Sequence, residues 1–154
     1  MLLARASVAA VLALGTPGVA WTQQSHFTRL AQDALRGAVA SWSGRGFVPI
    51  GALWVGTLAA RERDSLALQL ESRGEYVVLG MCDEDCGDLD LRLDGPDDKQ
   101  VAFDAKSNAR PVVGLTAPSD GIYRLQVVML ECSTPPCYYG VQLLRKTTGS
   151  GDAH

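Results

Sequence analysis

From Phe47 onward, apolar and polar residues alternate with a period of two, and this pattern restricts the fold more than any other feature of the chain. Successive side chains of a β-strand point to opposite faces, so each alternating segment has one apolar and one hydrated face. The clearest alternating segments are 65–70, 88–93 and 123–129. Further strands are expected near 52–58, 75–81, 99–104, 111–116 and 138–145. About eight short strands separated by turn residues predict a mainly β protein, an antiparallel β-sandwich.

One amphipathic α-helix is expected before the sandwich. Ser25 is a suitable N-cap, and after it apolar residues recur at three- and four-residue steps. These apolar positions are Phe27, Leu30, Ala31, Ala34, Leu35 and Ala38. The turn-forming run 41–46 ends the pattern. We expect the apolar stripe to pack on the chain's own sheet, and docking on a foreign partner is the alternative.

Residues 1–20 have the features of a cleaved signal peptide. Arg5 precedes a short apolar run, and the small residues Gly18 and Ala20 suit a cleavage site before Trp21. A buried helix or a membrane anchor is the alternative, but the run is shorter than the roughly 20 apolar residues that cross a bilayer. We therefore expect a periplasmic or secreted bacterial protein with no membrane span after cleavage.

The remaining chain divides into three parts. Residues 21–46 carry the helix and a glycine-rich junction, 47–146 form the sandwich, and 147–154 are expected to be a disordered tail. One domain of this length can bury an ordinary hydrophobic core. The sequence does not predict the oligomeric state.

Composition excludes several classes of protein. With 47% hydrophobic and 20% charged residues, the chain is neither wholly disordered nor a multi-span membrane protein. A net charge of −3 gives no reason to expect nucleic-acid binding. The two histidines, His26 and His154, lie outside the sheet segment, so no histidine is placed there to activate a serine or cysteine nucleophile. We predict no catalytic residues and no enzyme activity.

Four cysteines form two close pairs, Cys82 with Cys86 and Cys132 with Cys137. Such a set suits either a tetrathiolate zinc site or two disulfides. An exported chain meets an oxidising compartment, which favours disulfides. Of the three pairings that four cysteines allow, we favour Cys82–Cys86 with Cys132–Cys137. The second pair is expected at the base of a hairpin loop, at a suitable distance for a bridge.

Acidic residues are concentrated in and after the first cysteine pair. Asp83, Asp85, Asp88 and Asp90 are candidate calcium ligands, because a calcium ion with six to eight oxygen ligands relieves the repulsion between clustered carboxylates. The spacing does not fit an EF-hand, and no helices flank the cluster. The alternative is a solvated acidic loop that keeps the protein soluble and protects a strand edge. Apart from the tetrathiolate zinc alternative for the cysteines, calcium is the only cofactor that the sequence suggests.

Two aromatic pairs have alternative roles. Trp42 and Trp54 flank the glycine-rich junction, where they either stack on a ligand or seal the helix onto the sandwich, and we expect the second role. Tyr138 and Tyr139 are neighbours on a strand, so one ring is expected to point inward and the other outward.

Three motifs together resemble a known family. They are Gly-Glu-Tyr-Val-Val-Leu-Gly at 74–80, Asp-Leu-Asp-Leu-Arg-Leu at 88–93 and Ala-Pro-Ser-Asp-Gly-Ile-Tyr-Arg-Leu at 117–125. Their order and spacing resemble the bacterial pre-peptidase C-terminal domain over residues 47–146. The resemblance implies a jelly-roll-like β-sandwich in an exported protein, and some relatives bind calcium or matrix polymers. No peptidase domain precedes the module in this chain, so the resemblance implies no protease role.

These observations favour an exported, non-catalytic binding or accessory module of unknown ligand, and assistance by calcium is one hypothesis for it. Its partner would be an envelope protein or an extracellular polymer. The alternative is a structural or chaperone-like partner of an envelope protein, which docks through the N-terminal helix or a sheet edge.

Overall fold

The computed structural model describes residues 18–147, with side chains from residue 25 onward. The predicted fold class is confirmed: one α-helix precedes eight strands in two antiparallel sheets. The elements are α1 Gly18–Ser43, β1 Phe47–Leu58, β2 Arg63–Leu70, β3 Glu75–Cys82, β4 Cys86–Asp94, β5 Gln100–Asp104, β6 Val112–Thr116, β7 Gly121–Cys132 and β8 Cys137–Lys146.

The two sheets have four strands each. Sheet A has the order β1-β8-β3-β6, and sheet B has the order β2-β7-β4-β5. Only the β4–β5 connection joins neighbouring strands of one sheet; every other connection between these strands crosses from one sheet to the other. Crossing loops therefore meet at both ends of the sandwich.

The alternating leucines and valines fill the space between the sheets. On β4 and β7 of sheet B, the inward-facing side chains are completely buried, while the residues between them face outward. These buried residues are Leu89, Leu91, Leu93, Tyr123, Leu125, Val127 and Met129. Excluding this apolar surface from water is the main stabilising contribution to such a fold.

The helix covers the outer face of sheet A, as predicted for its apolar stripe. Phe27, Ala31 and Leu35 are buried in a second core against sheet A. Ala31 lies over Gly140 of β8, where an added β-carbon would approach it to 3.4 Å, so small residues allow the close contact. Strand β3 is therefore buried on both faces, which explains why its residues 76–82 are nearly all apolar.

Two details of the predicted helix are wrong. Helix α1 begins at Gly18, so Ser25 lies inside the helix and is not its N-cap. Leu30 and Ala34, which were assigned to the packed stripe, are exposed. The buried residues Phe27, Ala31 and Leu35 follow one another at four-residue spacing, and Leu30 and Ala34 lie beside this narrower stripe.

The ends of the chain are described only in part. The predicted cleavage site before Trp21 falls in the first turn of α1, and residues 1–17 and 148–154 lie outside the described part. Thr147 does not belong to a free tail, because its backbone N–H and its hydroxyl both donate hydrogen bonds to the Gly46 carbonyl oxygen. No helix within residues 18–147 has the length and apolar character of a membrane span.

Strand β1 begins earlier than the segment 52–58 that alternation predicted. Its pairing with β8 shifts register between Ile50 and Trp54, and Gly51 adopts a positive φ of 71° within the irregularity. The irregularity interrupts the period-two pattern, which explains why the first part of the strand was not recognised.

Trp42 and Trp54 belong to different cores. Trp42 packs edge-on against Phe47 beneath the helix, with ring centroids 5.3 Å apart. Trp54 packs against the core between the sheets. Trp42 therefore seals the helix onto the sandwich, as expected, whereas Trp54 does not.

Candidate functional site

Both disulfides connect the two sheets at the same end of the sandwich. Cys82 on β3 of sheet A is bonded to Cys86 on β4 of sheet B, and Cys132 on β7 of sheet B is bonded to Cys137 on β8 of sheet A. The Cα atoms are 5.9 Å apart in each pair. The expected hairpin between Cys132 and Cys137 is wrong, because β7 and β8 lie in different sheets and their loop crosses between them.

Hydrogen bonds hold the two disulfide-closed loops together. We call residues 83–85 the acidic loop and residues 133–136 the proline loop. The backbone N–H of Tyr138 donates to Oδ2 of Asp83 at 2.8 Å, and the N–H of Asp83 donates to the Tyr138 carbonyl oxygen at 3.1 Å. The N–H of Ser133 donates to the Asp85 carbonyl oxygen at 2.8 Å. The covalent bridges and these hydrogen bonds fix the loops relative to each other.

A groove of about 860 Å³ lies between the middle of α1 and the two loops. Phe27 and Tyr138 stack at its base, with ring centroids 5.1 Å apart. Tyr138 is half-buried beneath the helix, while Tyr139 points into the core between the sheets, so the two rings face opposite sides of sheet A. The residues that line the groove are His26, Phe27, Leu30, Ala34, Met81, Cys82, Asp83, Glu84, Asp85, Thr134, Pro135, Pro136 and Tyr138.

The groove combines an exposed apolar wall with an acidic wall. The Leu30 side chain is 51% exposed, and Ala34 and both prolines are exposed as well. Asp83, Glu84 and Asp85 supply the only carboxylates of the lining, and no lysine or arginine lies among the lining residues. Burial raises the pKa of Asp83, and the nearby charges of Asp85 and Glu84 raise it further, against the hydrogen bond from the Tyr138 backbone.

The four candidate calcium ligands fall into two pairs. Asp83 and Asp85 belong to the acidic loop, whereas Asp88 and Asp90 lie on β4. Oδ1 of Asp88 accepts a hydrogen bond from the Asn108 backbone N–H at 3.2 Å, which ties β4 to the β5–β6 connection. Oδ1 of Asp90 is buried without a hydrogen-bond partner in the described part of the chain, and burial and then the charges of Asp88 and Asp104 raise its pKa.

Within residues 18–147, no three His, Cys, Asp or Glu side chains come together in a set that could hold a metal ion. Asp83 and Asp88 instead accept backbone hydrogen bonds that position the acidic loop and the β5–β6 connection. The described residues therefore give the calcium hypothesis no geometric support.

The groups available in the groove suit binding. His26 lines it, but all four cysteines of the chain are in disulfides and supply no thiol. What the groove offers is apolar surface, carboxylates and the exposed proline loop. Such a mixture of apolar contact surface and a few placed polar groups is typical of binding sites.

The apolar wall of the groove was not predicted. The sequence shows Leu30 and Ala34 in the same apolar pattern as Phe27, Ala31 and Leu35. An apolar stripe that includes all five residues is wider than the part of a helix that packs on one sheet face. The extra apolar residues are the signal that could have identified an exposed contact surface. Which loops would lie beside that surface depends on the strand topology.

Comparisons with known proteins identify no family. No protein family and no curated protein matches the sequence. Among solved structures, the chain is similar to PliG of Aeromonas hydrophila, a periplasmic inhibitor of g-type lysozyme, with 12% identity and a TM-score of 0.41 over 62% of this chain and 83% of that one. A similarity of this degree carries no conclusion about function, and the resemblance to the pre-peptidase C-terminal domain stays a prediction from the motifs.

Proposed function

We propose that the protein is an exported, non-catalytic binding module whose ligand site is the groove between α1 and the two disulfide-closed loops. One observation carries this proposal. Leu30 and Ala34 remain exposed beside two loops that disulfides and hydrogen bonds hold in place. A preformed site loses little conformational entropy when it binds, so its contacts contribute more fully to affinity.

A partner protein fits the groove better than an enclosed small molecule. Sites for small ligands surround most of the ligand's surface. Here most lining residues of the helix and the proline loop are exposed, so the groove is open along that side. An open apolar groove beside a helix is a form in which proteins receive a segment of another protein.

Export is supported by the disulfides and by the predicted signal peptide. Disulfides such as Cys82–Cys86 and Cys132–Cys137 form and persist in oxidising compartments and are rare in the bacterial cytoplasm. Calcium is not part of this proposal.

Docking through the packed helix stripe or through the β1 edge of sheet A has less support. Phe27, Ala31 and Leu35 already pack on sheet A, so the helix stripe is not free for another protein. Of the sheet edges, β1 carries Pro49 and a register shift, which make it a poor template for an added strand. Leu30 and Ala34 are the part of the helix that stays available.

The test compares two substitutions with matched chemistry. Leu30→Gln removes an exposed apolar side chain from the groove, and Ile122→Gln removes one that is 62% exposed on sheet B. Immobilised wild-type protein is expected to retain a defined partner from a native envelope extract, and the affinity for that purified partner is then measured by calorimetry.

Leu30→Gln is expected to weaken the affinity about tenfold, as truncation of a central contact does, while Ile122→Gln leaves it unchanged. Both variants should keep the wild-type melting temperature. Equal affinities of wild type and Leu30→Gln, or a loss confined to Ile122→Gln, would place the site elsewhere and contradict the proposal.

A further inference from the structure

The carboxylates of the groove lie on one side of its apolar wall. Asp83, Glu84 and Asp85 are consecutive, and the hydrogen bonds to Tyr138 and Ser133 fix their loop beside Leu30 and the proline loop. Besides these carboxylates, the lining contains the polar side chains of His26, Thr134 and Tyr138, and no lysine or arginine. A ligand in the groove therefore meets apolar surface on one side and negative charge on the other.

The negative charge continues beyond the groove. On the far side of the disulfides, a second depression is lined by Glu84, Asp85 and Glu131, with Arg61 as its only basic residue. Neither the acidic loop residues nor Glu131 form an ion pair within residues 18–147. Carboxylates without cationic partners leave a negative potential, which attracts basic groups and repels acidic ones.

From this arrangement we propose that the occupant of the groove is an extended segment of a partner protein in which apolar side chains are directly flanked by lysine or arginine. This inference rests on the proposed function and adds the chemistry of the ligand. The apolar side chains lie against Leu30, Ala34 and Pro136, and the basic side chains face Glu84 and Asp85.

Charge complementarity selects this occupant over a second copy of the chain. The protein has a net charge of −3, and two copies that met at this face would bring acidic loops together. Like charges at an interface oppose association. An arginine side chain in particular can form paired hydrogen bonds with a carboxylate, and its apolar stem can pack along the groove.

The test uses three labelled, capped peptides in fluorescence anisotropy with the full exported protein. The first carries a Leu-Phe pair flanked by two arginines in a Gly/Ser background. The second has glutamates in place of the arginines, and the third keeps the arginines but has serines in place of Leu-Phe. The basic apolar peptide is expected to bind at least about tenfold more tightly than either of the others, and less tightly at high salt.

Variants locate the contacts. The double substitution Glu84→Gln with Asp85→Asn is expected to lower the affinity for the basic apolar peptide about three- to tenfold, because exposed ion pairs are individually weak. Asp97→Asn with Asp98→Asn removes the same number of charges from the β4–β5 turn, at the other end of β4, and should leave binding unchanged. Leu30→Gln should lower the affinity for the first peptide, as it is expected to lower the affinity for the natural partner.

The outcomes separate the two proposals. If the basic and acidic peptides bind equally and both lose affinity in Leu30→Gln, the charge preference is wrong and the groove remains the site. If no peptide binds at a concentration of about 1 mM, any Kd is weaker than about 1 mM and the inferred ligand is wrong. The calorimetry with the natural partner then still decides the proposed function. If peptides bind equally to wild type and Leu30→Gln, both proposals fail.

Discussion

Cys86 and Cys132 lie opposite each other on the neighbouring strands β4 and β7, so the two disulfides stand side by side between the sheets. Their partners, Cys82 and Cys137, lie on the neighbouring strands β3 and β8 of the other sheet. Each disulfide closes a short loop, yet together they join both sheets at the end of the sandwich where the groove lies. The groove is therefore built on the most strongly cross-linked part of the molecule.

Removal of one disulfide should destabilise the protein measurably. Replacing Cys132 and Cys137 with serine is expected to lower the free energy of unfolding by about 2 kcal/mol, because a bridge across a loop of this length restricts the unfolded chain by roughly that amount. Urea denaturation of the oxidised proteins measures the difference. The Cys82–Cys86 disulfide closes a loop of similar length, so the double substitution Cys82→Ser with Cys86→Ser should lower the free energy of unfolding by a similar amount. An unchanged unfolding midpoint in both double variants would contradict the disulfide pairing.

A single buried hydroxyl joins the sheets on the side of β1 and β2. The Tyr139 hydroxyl on β8 donates a hydrogen bond of 2.5 Å to Oδ2 of Asp64 on β2. Tyr139→Phe is expected to lower the free energy of unfolding by about 1–2 kcal/mol, as for a hydrogen bond to a charged acceptor. Tyr138→Phe is the matched control, because the Tyr138 side chain lies on the other face of sheet A, and its effect should stay below about 0.5 kcal/mol. Equal losses of unfolding free energy in Tyr139→Phe and Tyr138→Phe would show that the hydrogen bond to Asp64 does not stabilise the fold.

On the outer face of sheet B, Asp94 should stabilise the fold in a pH-dependent way. Burial acts to raise the pKa of Asp94, but hydrogen bonds from Arg92, Gln126 and Arg124 outweigh it and hold the pKa below 3.8. The charged form is favoured in the folded state, so its stabilising contribution is present above pH 3.8 and disappears as the pH falls through the lowered pKa.

Asp94→Asn is therefore expected to lose about 1–2 kcal/mol at pH 7. The difference from the wild type should become smaller as the pH falls below 3.8 and through the lowered pKa. Chemical denaturation at pH 7 and at a series of acid pH values measures this change, and a loss of the same size throughout would exclude a role for the Asp94 charge.

Asp90, on the same strand and face, should behave in the opposite way. Its pKa is raised, first by burial and then by the charges of Asp88 and Asp104, and its buried Oδ1 has no hydrogen-bond partner within residues 18–147. The fold favours the protonated form, so this stabilising contribution is present below pH 3.8 and is lost as the pH rises through the raised pKa. Asp90→Asn is expected to raise the free energy of unfolding at pH 7 by up to about 1 kcal/mol, with the gain disappearing in acid. A lower free energy of unfolding for Asp90→Asn than for the wild type at pH 7 would contradict this prediction.

The sequence predicted the sandwich because alternation reports directly which residues face the core. Leu89, Leu91 and Leu93 occupy the buried face that their spacing indicates. Alternation does not report which strand lies beside which, so it could not show that the β7–β8 loop crosses between the sheets. Strand pairing depends on contacts between residues far apart in sequence, and a single sequence shows these only weakly.

The candidate site depends on the same long-range information. The acidic loop was visible as a cluster of carboxylates, and its cysteines were visible as a close pair. Its position beside Leu30 and Ala34 required the helix to lie across β3 and β8 at one particular end, which no local pattern specifies. For the same reason, the sequence does not show that Asp83 and Asp88, two of the candidate calcium ligands, accept backbone hydrogen bonds from different segments.

The most direct test of the account is photo-crosslinking in cells that naturally produce the protein. A benzophenone amino acid replaces Ala34 in the groove or, as a control, Ala67, which is exposed on the far face of sheet B. One discrete crosslinked partner protein is expected from position 34. This product should be lost in the Leu30→Gln background and should not form from position 67. The same product from both positions, or none from position 34, would contradict the claim that the groove is the binding site.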